Sequence, residues 1–163
     1  MSEIDDLLTN NARYAGEQPT QLPSPPARRL AIVACMDARL DIFRILGLEP
    51  GDAHVIRNAG GIVTDDVIRS LAISQRKLDT REVMLVHHTQ CGMATFTDAE
   101  FSETLERHSG VRPTWSAGTF ADADDDVRES IATIKASPFL AQTETVRGFV
   151  YDVTTGQLKE VTS

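Results

Sequence analysis

The chain has 163 residues, 41% of them hydrophobic and 25% charged, with a formal net charge of −8. That length suits one domain with a sizeable core, and the acidic balance argues against nucleic acid or an anionic membrane as partner. No apolar run approaches the roughly 20 residues of a membrane-spanning helix; the acidic start Met1-Ser2-Glu3-Ile4-Asp5-Asp6 lacks the basic and apolar regions of a secretory signal, so a cytoplasmic location with reduced thiols is expected.

Along the chain, residues 3–16 predict a short helix, and the proline-rich stretch Pro19 to Pro26 predicts an extended connector. An arm over 1–27 and a single domain over 28–163 follow from this. The apolar run Leu30-Ala31-Ile32-Val33-Ala34 predicts a first strand over 29–35. A helix over 38–47 is expected to stop at Gly47, with a turn at Pro50-Gly51. A second strand spans 53–57 and leads into the loop Asn58-Ala59-Gly60-Gly61. Thr64-Asp65-Asp66 marks a helix start, and Val67, Leu71 and Leu78 recur at helical spacing to about residue 78. A third strand over 81–87 precedes a helix from near Gly92 to about His108.

Residues 110–121 read as irregular, and Asp122 to Ser137 as a helix with an acidic front. The tail reads as strand, turn and strand around Thr154-Thr155-Gly156. Strands alternating with helices predict an α/β fold: a mainly parallel central sheet flanked by helices, with a C-terminal antiparallel hairpin at the edge. An unpaired edge invites a partner subunit.

The two cysteines each open a polar cluster where a buried strand ends. Cys35 begins Cys35-Met36-Asp37-Ala38-Arg39; Cys91 closes His88-Thr89-Gln90-Cys91. That edge of an open α/β sheet is where ligands collect. Two thiolates and an imidazole converging there make a three-ligand zinc site with one position open. If the chain stays extended past Cys35, then Asp37 and Arg39 share its side. A Cys35–Cys91 disulfide is the plainer reading of two cysteines, but it leaves His88 and Asp37 without a role.

Cys35-Met36-Asp37-Ala38-Arg39, Arg57-Asn58-Ala59-Gly60-Gly61 and His88-Thr89-Gln90-Cys91-Gly92 together resemble a β-class carbonic anhydrase of the short, mycobacterial-type branch. The resemblance runs from about residue 28 to 92. It implies reversible hydration of CO2 to bicarbonate, with zinc on Cys35, His88 and Cys91 and a water as fourth ligand. It implies an Asp37–Arg39 pair that orients that water, a closed state with Asp37 on the metal, and a homodimer or a dimer of dimers. Gly92 is expected to receive a substrate oxygen on its N–H, and Gly60 to line the pocket. With two thiolates and one neutral imidazole the zinc centre is near neutral in charge. Activity is therefore expected to rise toward alkaline pH, with an apparent pKa above the value of about 7 met in three-histidine sites.

Carbonyl sulfide and carbon disulfide hydrolases share this fold and ligand pattern and form the alternative reading. A non-catalytic zinc-binding module is a third. A dinucleotide binder lacks its glycine fingerprint after the first strand. His87 is expected to pack against the sheet or a helix, because adjacent strand residues point oppositely. His54 is read as structural, and His108 and Asp122 to Asp126 as solvated helix-end groups.

Overall fold

A computed structural model describes residues 2–15 and 22–162. Five strands form one sheet: β1 (Leu30–Cys35), β2 (Ala53–Asn58), β3 (Glu82–His88), β4 (Val146–Tyr151) and β5 (Leu158–Val161), in the order β2-β1-β3-β4-β5. The first three pairings are parallel, and β4–β5 is an antiparallel edge hairpin. Helices α1 (Glu3–Ala15), α2 (Ile42–Leu46), α3 (Asp65–Leu78), α4 (Asp98–Ser109) and α5 (Ala123–Ala136) complete the fold. Among the described residues, no helix is long and apolar enough to cross a membrane.

The central strands are apolar on both faces because both faces are covered. Ala31, Val33, Val83 and Leu85 pack with Val67 and Leu71 of α3 and Ile134 of α5. Ile32, Ala34 and Val86 pack on the other side with Leu40, Ile42 and Met93. This alternation separates the neighbouring histidines. His87, fully buried, donates from Nε2 to Asp126 Oδ2 of α5 at 2.6 Å. His88 belongs to the opposite face.

Two helices differ from expectation. The helix expected over 38–47 is only Ile42–Leu46, because Asp41 caps it, accepting from Arg44 N at 3.3 Å, and residues 37–40 form a turn closed by Leu40 N donating to Asp37 O. The helix expected from Gly92 is a 3-10 turn over Gly92–Ala94, and α4 starts six residues later. Thr97 and Glu100 form a reciprocal capping box that sets that start. The acidic front of α5 is only partly solvated: Asp122, the cap, and Asp125 are exposed as expected, but Asp124 pairs with Lys159 and Asp126 holds His87. Of the proline-rich connector, residues 19–21 lie outside the described residues; α1 has no buried residue.

The strand order reverses between β1 and β3: the chain runs from β1 outward to β2, then crosses back to β3. The two carboxyl ends flanking this reversal are Cys35 and His88. In parallel α/β sheets, that crevice is where ligands bind.

Candidate metal centre

Cys35, His88 and Cys91 converge there, with potential ligand atoms all within 4.8 Å of one another. The sulfurs are 4.0 Å apart, and all three residues are buried. His88 Nδ1 donates to Thr89 O at 2.9 Å, which fixes its proton on that nitrogen. Its Nε2 is buried without a hydrogen-bond partner. A buried nitrogen lone pair aimed at two thiols, with the outer nitrogen tied to a carbonyl, is the arrangement of a metal-ligating histidine. The donor set therefore fits a zinc ion.

A left-handed residue brings His88 and Cys91 together. Gln90 has φ +55°, so the chain reverses within the three-residue spacing and aims both side chains at one point. The turn is tied to β4, with Thr89 N donating to Tyr151 O and Val153 N to Thr89 Oγ1.

Asp37 and Arg39 meet by a different route from the extended chain expected. Met36 N donates to Asn58 O and prolongs the β1–β2 ladder by one step, and the chain then turns. Within the turn, Arg39 N donates to Asp37 Oδ1 at 2.9 Å. The guanidinium adds Nε to Oδ1 at 2.9 Å and Nη2 to Oδ2 at 2.7 Å, a two-pronged pair. Arg39 Nη2 also donates to Gln90 O at 3.0 Å, so one side chain joins both ligand-bearing turns. Asp37 Oδ2 lies 3.7 Å from His88 Nε2.

The electrostatics follow from these contacts. The Arg39 guanidinium holds the Asp37 carboxyl well below the usual carboxylate range, so Asp37 is ionised and can only accept hydrogen bonds. Hydrogen bonding from Cys91 draws the Cys35 thiol far below its ordinary value, helped by His88 and the N–H groups of Asp37 and Gly60. Cys91 is pushed up in return by sharing that hydrogen bond, and then by burial. For His88, burial is the largest influence and opposes the charged form, but the Cys35 sulfur, the Thr89 carbonyl and the Asp37 charge together outweigh it and the net shift is upward.

A cavity of about 390 Å³ opens above Cys35 and Cys91, with Asp37 on its wall and Ala59, Gly60, Gly92, Met93 and Phe96 around it. Gly60 and Gly92 thus both line the space. Two features escaped the sequence reading. Gly61, at φ +73°, lies so close behind β1 that a Cβ would sit 2.7 Å from Cys35 N. Arg57 donates three hydrogen bonds to the Cys35 and Asp37 carbonyls. Arg57 and Gly61 belong to a loop already singled out, but only strand register reveals what they touch. His54 shares a hydrogen bond with buried Ser74 at 2.7 Å, as a structural residue would, and His108 lies exposed in the last turn of α4.

A Cys-His-Cys centre at the switch point of a parallel sheet, beside an aspartate–arginine pair, defines a class of metal-dependent α/β enzymes. Residues 30–158 match the carbonic anhydrase family model. Beta-carbonic anhydrase 1 of Mycobacterium tuberculosis is 57% identical over 162 residues, 99% of each chain. A solved carbonic anhydrase from Streptococcus mutans superposes with a TM-score of 0.93 at 46% identity, covering 99% of both chains. A carbon disulfide hydrolase from Acidianus is 32% identical over 182 residues, 96% of this chain and 88% of its own. The chain belongs to the carbonic anhydrase family, in its β class and of the mycobacterial type.

Proposed function

We propose that this carbonic anhydrase hydrates CO2 with zinc held by Cys35 Sγ, His88 Nε2 and Cys91 Sγ, and that Asp37 and Arg39 do the positioning. The observation that carries the proposal is the unpartnered, buried Nε2 of His88 beside two thiols, with the Asp37 carboxylate 3.7 Å away. Zinc, when bound, supplies an acidified water as nucleophile near neutral pH. Asp37, ionised and held at both oxygens by Arg39, accepts a hydrogen bond from the attacking water and fixes its direction. The Gly92 N–H receives a substrate oxygen across open space, and Gly60, packed against Ile62, Met93 and Phe120, lines the same cavity. The apolar rim of Ala59, Met93 and Phe96 suits a small, uncharged, linear substrate.

Asp37 is also near enough to become a fourth ligand. Arg39 opposes that closed state by holding both carboxylate oxygens. An always-closed, non-catalytic module would have no use for the arginine, which disfavours the structural reading.

The match over residues 30–158 supports an arm over 1–27 and a single zinc domain over 28–163. The outer edges of β2 and β5, unpaired among the described residues, together with the exposed Ile4, Leu7 and Leu8 of α1, favour a homodimer or a dimer of dimers. The net charge of −8 disfavours nucleic-acid and anionic-membrane partners, and two unbridged thiols favour a cytoplasmic setting.

Hydrolysis of carbonyl sulfide or carbon disulfide is the second reading, motivated by the 32%-identical hydrolase. Turnover of the zinc-loaded protein with each gas separates the two. CO2 hydration exceeding both sulfur substrates is expected; the reverse order would overturn the assignment.

A further inference from the structure

Arg57 stands next to last in β2, beside the end of β1. Its guanidinium reaches across the strand boundary. Nε and Nη2 donate to Cys35 O at 2.9 and 2.7 Å, and Nη2 also donates to Asp37 O at 2.8 Å. The segment so held carries the first thiol and the aspartate. One planar group therefore fixes the peptide carbonyls at both ends of a three-residue stretch, while Arg39 fixes the Asp37 carboxylate at its outer end. The backbone of Asp37 and its side chain are thus held by different arginines. Without Arg57, the stretch keeps Met36 N on Asn58 O and the turn's own Leu40 N on Asp37 O; the Cys35 carbonyl loses both its side-chain donors, and the turn with its carboxylate shifts relative to His88 Nε2.

We propose that Arg57 is a positioning residue for the hydration reaction: it holds the Cys35–Asp37 turn so that the Asp37 carboxylate stays aligned with the metal centre. This rests on the reading in which Asp37 orients the nucleophile. A merely structural arginine would stabilise the strand end and leave the reaction geometry alone. A lysine retains the charge but is a point donor on a flexible stem, so it cannot reproduce the fork.

The test compares the zinc-loaded wild type with Arg57→Ala, Arg57→Lys and Asp37→Ala by stopped-flow CO2 hydration. Misplacing a reacting group by about 1 Å costs up to about 10²-fold. Arg57→Ala is expected to lose about 10- to 100-fold in kcat, with KM within about threefold and zinc content unchanged. Guanidinium ion at non-denaturing concentration is expected to restore part of the lost kcat. Arg57→Lys keeps its zinc and stability, loses kcat by about tenfold, and gains nothing from added guanidinium. A crystal structure of zinc-loaded Arg57→Ala provides a readout independent of rate: the Asp37 carboxylate is expected to leave its paired position on Arg39.

Wild-type kcat in both Arg57 variants, with Asp37→Ala slow, would overturn this inference and leave the role of Asp37 intact. Losses that merely track zinc content or unfolding in both variants would also overturn it. Wild-type rates in Asp37→Ala would remove the underlying reading, and the inference with it.

Discussion

Gly61→Ala should weaken the fold and the metal centre together. Gly61 has φ +73°, and a Cβ there would lie 2.7 Å from Cys35 N and 2.9 Å from Ala34 C. Holding alanine in the left-handed region costs about 1–2 kcal/mol. Forcing two backbone segments apart adds about 1–3 kcal/mol, because neither has a flexible end that can yield. The combined loss, about 2–5 kcal/mol, is a large part of the roughly 5–15 kcal/mol that holds a domain together. Gly47→Ala separates the two contributions, since Gly47 has φ +62° but nothing within 4 Å of the added Cβ. Urea unfolding of the metal-free, reduced proteins measures both. Gly61→Ala is expected to lose at least about 1 kcal/mol more than Gly47→Ala. Relieving the clash also moves Cys35, so chelator competition should find zinc bound about 10- to 100-fold more weakly. Equal stability in the two variants, with unaltered zinc affinity in Gly61→Ala, would refute the claim that this glycine sets the position of the first ligand.

Two further outcomes follow from the same contacts. Arg39→Ala frees Asp37 Oδ2 and the Gln90 carbonyl and leaves Oδ1 only the backbone N–H of residue 39, so kcat should fall by about 10²-fold and Asp37 should move onto the metal; an active variant with water still on the metal would contradict this. Zinc binding should release protons at neutral pH, because Cys91, raised by sharing its hydrogen bond with Cys35, keeps its proton in the metal-free protein, while the lowered Cys35 has already lost its own. The metal-free state binds more protons, so zinc affinity must strengthen as pH rises. Calorimetry in buffers of different ionisation enthalpy should find about one proton released, from Cys91, and a release near zero would contradict the assignment.

Much of this arrangement was legible before any coordinates. The runs ending at Cys35 and His88 are apolar throughout because both faces of the sheet are covered, so the two strands and their polar ends stood out. The three-residue spacing of His88 and Cys91 selected His88 over His87; in the fold His88 lies beside the two sulfurs and His87 on the opposite face against Asp126. What stayed hidden depended on long-range register or on local capping. Arg57 reaches Cys35 O only because Asn58 pairs opposite Cys35. The shortness of α2 reflects Asp41 taking the cap and Asp37 serving the preceding turn, a competition that helical periodicity does not register. The late start of α4 is set by Thr97 and Glu100, a capping signature in the sequence that prevails over a start at Gly92. Asp126 looked like one more solvated carboxylate, because its partner lies 39 residues away on a strand.

Anomalous diffraction at the zinc edge, on reduced, zinc-loaded crystals, tests the central claim most directly. The account predicts one strong peak at about 2.3 Å from Cys35 Sγ and Cys91 Sγ and about 2.0–2.1 Å from His88 Nε2, with Asp37 on Arg39 and a non-protein atom in the fourth position. No peak between those three side chains, or a metal bound elsewhere, would contradict it.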